Sequence, residues 1–168
     1  MTRKLSRRTT TTSRSDVEHY EDFIVVPVNP VTKPVWKAHR NGFGGHWGSK
    51  TYYPWLEDAP PAIEEASKDV PMIWEPIDIV VEVRPKKPKT TKLPFPKGDV
   101  DNFSKAILDA CTDVLWLDDW QIRHETVFKE WSEGDGYFKV SWKKLPDLID
   151  RFPVFNENRV QWEMAQDE

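Results

Sequence analysis

The stretch KGDVDNFSKAILDACTDVLWLDDWQIR, residues 97–123, combines a helical pattern with two pairs of aspartates. Asp99 and Asp101 come before the pattern, and Asp118 and Asp119 come after it. Counted at about 100° per residue, the apolar side chains fall on one face. That face consists of Phe103, Ala106, Ile107, Ala110 and Val114. The stretch therefore predicts a helix that packs on one side and has carboxylates at its ends.

The two aspartate pairs predict a site for a divalent cation. A turn into the helix can swing Asp99 and Asp101 inward, and we expect the return of the chain to bring Asp118 and Asp119 beside them. Hard cations such as Mg²⁺ or Mn²⁺ prefer oxygen ligands and keep waters and substrate phosphate in their other positions. Carboxylates that converged without a cation would repel one another. We therefore favour metal-assisted chemistry on a phosphate.

The start of the helix adds two further groups to this site. Asp101 or Asn102 is expected to be the N-cap, and the helix dipole would favour an approaching phosphate there. Lys105 follows Asp101 by four residues, about one turn, so its ammonium can reach the same pocket and neutralise developing charge. Each residue alone has an ordinary role as a cap or in a surface ion pair. The combination of four aspartates and a lysine around one helix favours a functional site.

The run DVDNFSKAILDA, followed by WLDD and Gln121, resembles the RusA-like Holliday junction resolvases, endodeoxyribonucleases frequent in phages and prophages. In that family an Asp-x-Asp-Asn-x-x-Lys-Ala motif and an aspartate of a Trp-Leu-Asp-Asp turn form the acidic metal site. The resemblance implies that the metal ligands are Asp99, Asp101 and Asp119 and that the catalytic lysine is Lys105. Asn102 matches the motif and is an expected DNA contact. The shorter segment before WLDD leaves open whether Asp118 or Asp119 is the third ligand.

The resemblance also implies an activity. The chain would hydrolyse phosphodiesters in four-way DNA junctions with Mg²⁺ or Mn²⁺, giving paired symmetric nicks in recombination and repair. Two symmetric cuts suit a C2 homodimer, whose two sites match the symmetry of the junction. We expect action in the cytoplasm, which is the host cytoplasm if a phage encodes the chain.

A strip of basic residues leads into the acidic motif. Residues 84–97 contain no acid, and their prolines preclude a regular helix and predict an extended, exposed segment. Its predicted phosphate contacts are Arg84, Lys86, Lys87, Lys89, Lys92 and Lys97. Arg40 and Lys50, in a segment rich in glycine and aromatic residues, are further expected DNA contacts. Such local patches can bind DNA although the formal net charge is -4.

Length and composition predict one domain with two tails. A chain of 168 residues with 38% hydrophobic and 31% charged residues is typical of a single globular domain. We expect a basic, disordered arm over 1–18, a nuclease domain over 19–145 and a polar extension over 146–168. No apolar run reaches about 18 residues, so no membrane span or signal peptide is expected. Cys111 has no partner for a disulfide, which favours a reducing compartment.

The remaining pattern predicts the fold class. We expect strands over residues 23–28 and 77–83, and the alternating pattern of the second strand predicts that it is half-buried. A short helix is expected over residues 61–68. HETVFKEW and GYFKVSWK are expected strands joined around SEGDG by a hairpin-type connection. The order β, loop, α, β, α, β, β predicts a small mixed α/β (α+β) domain with a partly antiparallel sheet, in which one helix carries the acidic motif.

Two other functions remain open at the level of sequence. One is a non-catalytic protein that binds branched DNA without cutting it. The other is a DxD-type enzyme that holds Mn²⁺ against a nucleotide sugar, although that motif does not explain Lys105 or WLDD.

Overall fold

The computed structural model describes residue 20 and residues 22–34, 36–38, 44–46 and 49–148. Its strands are β1 (Asp22–Val26), β2 (Trp36–Ala38), β3 (Gly44–His46), β4 (Ile77–Arg84), β5 (Ile122–Lys129) and β6 (Tyr137–Lys144). Its helices are α1 (Ser49–Ala66) and α2 (Val100–Cys111), and short 3₁₀ turns lie at Asp119–Gln121 and Pro146–Leu148. This is the small mixed α+β fold that the sequence predicts. The arm over 1–18, Arg40 and most of the extension lie outside the described residues.

A four-stranded mixed sheet has the order β1-β6-β4-β5, and β2 and β3 form a separate antiparallel pair. The predicted hairpin between the last two strands is wrong, because β4 lies between β5 and β6. Val81 of β4 pairs with Val127 of the parallel strand β5 and with Val140 of the antiparallel strand β6. The prediction that β4 is half-buried is also wrong. Its core-facing side chains are fully buried, and Asp78 and Val80, which point to the opposite face, are only 6% and 7% exposed.

Both helices pack against one face of the sheet. β4 contributes Ile79 and Val81 to this face, and β6 contributes Phe138. The predicted apolar face of α2 is confirmed, since Phe103, Ala106, Ile107 and Ala110 are all buried in this core. Val114 lies beyond the end of the helix and is partly buried against the same cluster.

Helix α1 is much longer than the predicted short helix over 61–68. It has 18 residues and includes Pro54, Pro60 and Pro61, which do not end it. The reason lies in packing, because one stripe of α1 is buried against the sheet while Pro54 and Pro61 face solvent. The buried stripe consists of Tyr52, Trp55, Ala59 and Ile63. Burial of these large side chains outweighs the hydrogen bonds that the prolines remove.

Among the described helices, none is long and apolar enough to cross a membrane.

Candidate active site at the start of helix α2

The loop after β4 enters α2 through a glycine that the geometry requires. Gly98 has φ +130°, in the region that favours glycine. A Cβ at this position would lie 3.1 Å from the Phe103 ring and 3.1 Å from the Thr32 methyl group. Nζ of Lys129, on β5, donates to the carbonyl of Gly98. This turn therefore fixes where the next residue, Asp99, begins the helix.

Asp99 occupies the N-cap position of α2, so the predicted cap at Asp101 or Asn102 is wrong. The helix starts earlier because the Gly98 turn lets Val100 adopt helical geometry directly. The Asp99 side chain makes no capping hydrogen bond, and its Oδ2 lies 3.5 Å from Nδ2 of Asn102. Since Asp99 is exposed, its carboxylate is available to a ligand.

Asp101 and Lys105 lie one turn apart on the exposed side of α2, as predicted. Nζ of Lys105 is 3.6 Å from Oδ2 of Asp101, and the two side chains are 61% and 64% exposed. An ion pair this open contributes little to stability, so a ligand can replace either partner at small cost. The backbone carbonyl of Asn102 accepts a hydrogen bond from the Lys33 amide at 2.8 Å, which anchors this turn to the segment after β1.

Asp118 and Asp119 lie at the other end of α2. Oδ1 of Asp119 accepts hydrogen bonds from Oγ1 of Thr112 at 3.0 Å and from the Trp116 indole at 3.1 Å. Thr112 is the C-cap of α2, whose 12 residues span about 18 Å. The Asp118 side chain caps the following 3₁₀ turn by accepting from the Trp120 amide at 3.3 Å.

The expectation that the chain returns Asp118 and Asp119 to the side of Asp99 and Asp101 is therefore wrong within one protomer. β5 runs parallel to β4, so the chain must travel back along α2 to the opposite edge of the sheet before β5 can begin. Both late aspartates come before β5 and stay at that edge.

Asp99 and Asp101, the two carboxylates at the start of α2, can still bind a cation. In the described part of the chain, no group of three or more His, Cys, Asp or Glu side chains is placed to hold a metal ion. Mg²⁺, however, is commonly bound through one or two protein carboxylates, with waters and substrate phosphates as its other ligands. Asp99 and Asp101 are two exposed carboxylates at the start of α2, a number that suits a cation shared with a phosphate and not a closed site made of protein alone.

Two residues near this site were missed at the sequence level. Oγ of the buried Ser104 donates to Oε1 of Glu125 on β5, which brings another carboxylate against α2. Lys129 lies close to the Gly98 turn, as described above. Both Glu125 and Lys129 come from an adjacent strand, so no spacing within the acidic motif could have indicated them.

The predicted basic strip contains no helix and its lysines are exposed, as expected. It is not extended throughout, because the Thr91 amide donates to the Pro88 carbonyl at 3.2 Å and forms a turn, and Arg84 at its start is only 13% exposed. Its cations fall into two groups. Arg84 ends β4 and pairs with Glu82 and Glu130, both at 2.5 Å. Burial alone would lower the pKa of Arg84, but the hydrogen bond and charge of Glu82 and the charge of Glu130 raise it above its usual value. Lys86 pairs with Asp135 at 2.6 Å, and this ion pair lowers the pKa of the Asp135 carboxyl.

The other cations of the strip make no ion pair with any described residue, and all are exposed. They are Lys87, Lys89, Lys92 and Lys97. Lys50 is also exposed, near the start of α1. Four ammonium groups that no described carboxylate neutralises, on a proline-stiffened segment that runs into Asp99, form a surface suited to phosphates.

Cys111 takes no part in this site. The thiol is fully buried at the end of α2, and burial together with the charge of Asp119 raises its pKa far above the usual range. It stays protonated and has no path to a substrate, which rules out a role as nucleophile.

Comparison with known proteins adds one match. A family model described as Endodeoxyribonuclease RusA matches residues 27–140, which is more than half of the chain. The matched span contains the basic strip, the whole of α2 and the turn after it. No curated protein matches the chain.

Proposed function

Because the chain belongs to the RusA endodeoxyribonuclease family, we propose that it resolves four-way DNA junctions by metal-dependent hydrolysis of phosphodiester bonds. The match accounts for a nuclease that acts on branched DNA. It gives no support to the alternative of an enzyme that binds a nucleotide sugar.

One observation supports the placement of the chemistry at the start of α2. Asp99 and Asp101 are exposed carboxylates, and the Asp99 side chain makes no capping hydrogen bond although Asp99 is the N-cap residue. Both lie at the end of the basic strip, whose last lysines pair with no described carboxylate. Elsewhere in the described chain, exposed carboxylates do not coincide with a helix N-terminus, a helical lysine and a basic strip. This combination suits a phosphate that shares a cation with the protein.

The reaction can be written from the residues present. Asp99 and Asp101 would hold Mg²⁺ or Mn²⁺, which supplies polarisation of the phosphate and a more acidic bound water. The lysines of the strip would hold the DNA backbone so that the scissile phosphorus faces the water in line with the leaving 3′ oxygen. The new bond joins the water oxygen to phosphorus, and the bond to the 3′ oxygen breaks. Lys105 would stabilise the charge on that oxygen.

The products are a 5′-phosphate and a 3′-hydroxyl. The water loses one proton and the leaving 3′ oxygen gains one, so the reaction is balanced without a further reactant. We also propose that Asn102 contacts the DNA beside this position.

Asp119 has a different place in this proposal from Asp99 and Asp101. Within one protomer its carboxylate supports Thr112 and Trp116 at the far end of α2. We propose that it positions the turn before β5. A ligand role at the same cation would need Asp119 from a second protomer.

We further propose that the chain acts as a homodimer. A four-way junction needs two symmetric cuts, and a C2 dimer supplies two sites related by the same symmetry. Sedimentation of the protein alone and bound to a junction would give two protomers per junction if this is correct.

Cleavage of a synthetic four-way junction tests the proposed function. The junction and a linear duplex of the same sequence would be incubated with Mg²⁺, Mn²⁺ or EDTA. Paired nicks confined to the junction and dependent on metal would support a resolvase. A junction that is bound in Ca²⁺ but stays uncut in Mg²⁺ and Mn²⁺ would instead support a non-catalytic branched-DNA-binding protein.

A further inference from the structure

A cavity of about 880 Å³ opens beside the candidate active site, between the basic strip and the connection from β5 to β6. A cavity of this size is in the range that small ligands and nucleotides occupy. The lining residues that matter here are Arg84, Lys87, Phe95, Lys129, Trp131 and Tyr137. Lys129 also donates to the carbonyl of Gly98, so the cavity and the start of α2 share a wall.

Aromatic rings form one part of this wall. The Phe95 side chain is 55% exposed, and Nζ of Lys129 lies 5.6 Å from the centre of its ring. The Trp131 indole donates to the carbonyl of Leu93 at 2.9 Å, which ties the basic strip to the residues after β5. More than half of the Phe95 side chain is open to solvent beside this tie, and an exposed aromatic ring can stack on any nucleobase.

Three cations, Arg84, Lys87 and Lys129, and two carboxylates, Glu130 and Glu133, line the cavity. Arg84 is already neutralised by Glu82 and Glu130, so its guanidinium acts as a rigid part of the wall. Lys87 makes no ion pair with a described residue. Within the described ranges, Lys129 contacts a neutral carbonyl and an aromatic ring and no carboxylate. The phosphate is therefore expected beside these two lysines and away from Glu133. Two cations beside an exposed ring match the chemistry of a nucleotide, with an aromatic base and an anionic group.

We propose that this cavity binds one unpaired nucleotide of the DNA, with its base against Phe95 and Trp131 and its phosphate beside Lys87 and Lys129. The inference rests on the proposed function, because the unpaired nucleotide would come from the strand exchange point of a branched DNA. Paired bases are stacked inside a duplex and cannot enter a concave site unless they leave the stack. Occupation of the cavity would thus favour branched DNA over linear duplex and hold the strand next to Asp99.

The test uses the full chain and two fluorescent probes, a single-stranded oligothymidylate with one 2-aminopurine and a four-way junction with 2-aminopurine at the strand exchange point. Binding is measured in Ca²⁺ for wild type, Phe95→Ala, Phe95→Leu and Phe95→Trp. The matched control is Phe23→Ala. Phe23 is 51% exposed on β1 and has Nζ of Lys139 4.2 Å from its ring centre, but it does not line the cavity.

We expect wild type and Phe95→Trp to change the 2-aminopurine fluorescence through stacking. Phe95→Ala should bind the oligothymidylate on the order of tenfold more weakly. Phe95→Leu should behave like Phe95→Ala because it keeps apolar bulk without a ring face. Phe23→Ala should match wild type, and linear duplex affinity should be unchanged throughout.

Equal affinities and equal fluorescence for wild type and Phe95→Ala on both probes would overturn the inference. The proposed function fails separately: a protein that binds the oligothymidylate through Phe95 but does not cut the junction in Mg²⁺ or Mn²⁺ would keep the cavity assignment and lose the resolvase assignment.

Discussion

Asp101 and Asp119 lie at opposite ends of helix α2, with Asp101 in its first turn and Asp119 hydrogen-bonded to its C-cap, Thr112. The two carboxylates therefore have different surroundings. Asp101 is exposed and pairs with Lys105, whereas Asp119 is half-buried and accepts two hydrogen bonds from neighbouring side chains. Chemistry on a phosphate is expected at the first end, and support of the fold at the second.

Substitution of Asp119 separates these two roles. Asp119→Ala should lower the free energy of unfolding by about 1–3 kcal/mol, because the fully buried Trp116 loses the acceptor of its indole N–H. Asp119→Asn keeps an oxygen acceptor and loses only the charge, so it should fold and cut junctions nearly as wild type does. Urea unfolding and single-turnover cleavage give the two quantities. An Asp119→Asn protein with normal stability and no cleavage would show that Asp119 is a metal ligand.

Lys105→Ala should slow cleavage by on the order of a hundredfold at saturating metal, because the charge on the leaving oxygen loses its ammonium partner. The unfolding free energy should hardly change, since the ion pair with Asp101 is open to solvent. Lys68→Ala is the matched control. Lys68 is also exposed and pairs with a nearby acid, Glu65, at 3.1 Å, but lies away from the site. Unchanged turnover in Lys105→Ala would remove Lys105 from the reaction.

The free lysines of the basic strip should control how binding depends on salt. Replacement of Lys87, Lys89 and Lys92 by Gln should weaken junction binding. It should also reduce the slope of log affinity against log salt by about 0.9 for each phosphate that the protein no longer neutralises. The same replacement at Lys68, Lys139 and Lys143 removes equal charge outside the strip. If both triple variants lose affinity equally, net charge and not the strip explains binding.

Tyr52 should make the fold sensitive to alkaline pH. Its hydroxyl donates to Oδ2 of Asp109 at 2.8 Å, and Lys33 pairs with the same oxygen at 2.5 Å. Burial, then the hydrogen bond and charge of Asp109, raise the pKa of Tyr52 above its ordinary value of 10.0. The folded state thus favours the neutral phenol. The stabilisation that the neutral Tyr52 hydroxyl gives the fold is complete below a pH of about 10, the pKa of tyrosine in the unfolded chain. It is lost as the pH rises above that value.

Urea unfolding of wild type and Tyr52→Phe from pH 7 to pH 11 measures this effect. The stability difference between the two proteins should be constant up to about pH 9 and shrink above about pH 10. Tyr53→Phe, at a neighbouring residue that is 54% exposed, is the control. A difference that stays constant to pH 11 would contradict the proposed role of the Tyr52 hydroxyl.

The sequence predicts those parts of the structure that depend on local patterns. The spacing of Phe103, Ala106 and Ile107 identifies the buried face of α2, and the prolines of the basic strip identify an exposed segment without helix. These features follow from backbone geometry within a few residues. Both are confirmed.

The errors arise where distant residues compete. The order of strands in the sheet depends on which strands pair with β4. The short connection from β5 to β6 predicts a hairpin, but in the sheet β4 lies between these two strands. The length of α1 depends on burial of Tyr52, Trp55 and Ile63 against the sheet, which outweighs three prolines. The position of Asp119 depends on the direction of β5. None of these three features can be predicted from a few neighbouring residues in the sequence.

The most direct test of the proposed mechanism compares wild type with Asp101→Asn in two assays on one four-way junction, binding in Ca²⁺ and cleavage in Mg²⁺ or Mn²⁺. Asp113→Asn is the control, because Asp113 is an exposed aspartate beyond the other end of α2 with φ +63°, a conformation that asparagine tolerates. We expect Asp101→Asn to bind the junction nearly as well as wild type without cutting it, and Asp113→Asn to do both. Cleavage by Asp101→Asn at the wild-type rate would contradict the mechanism.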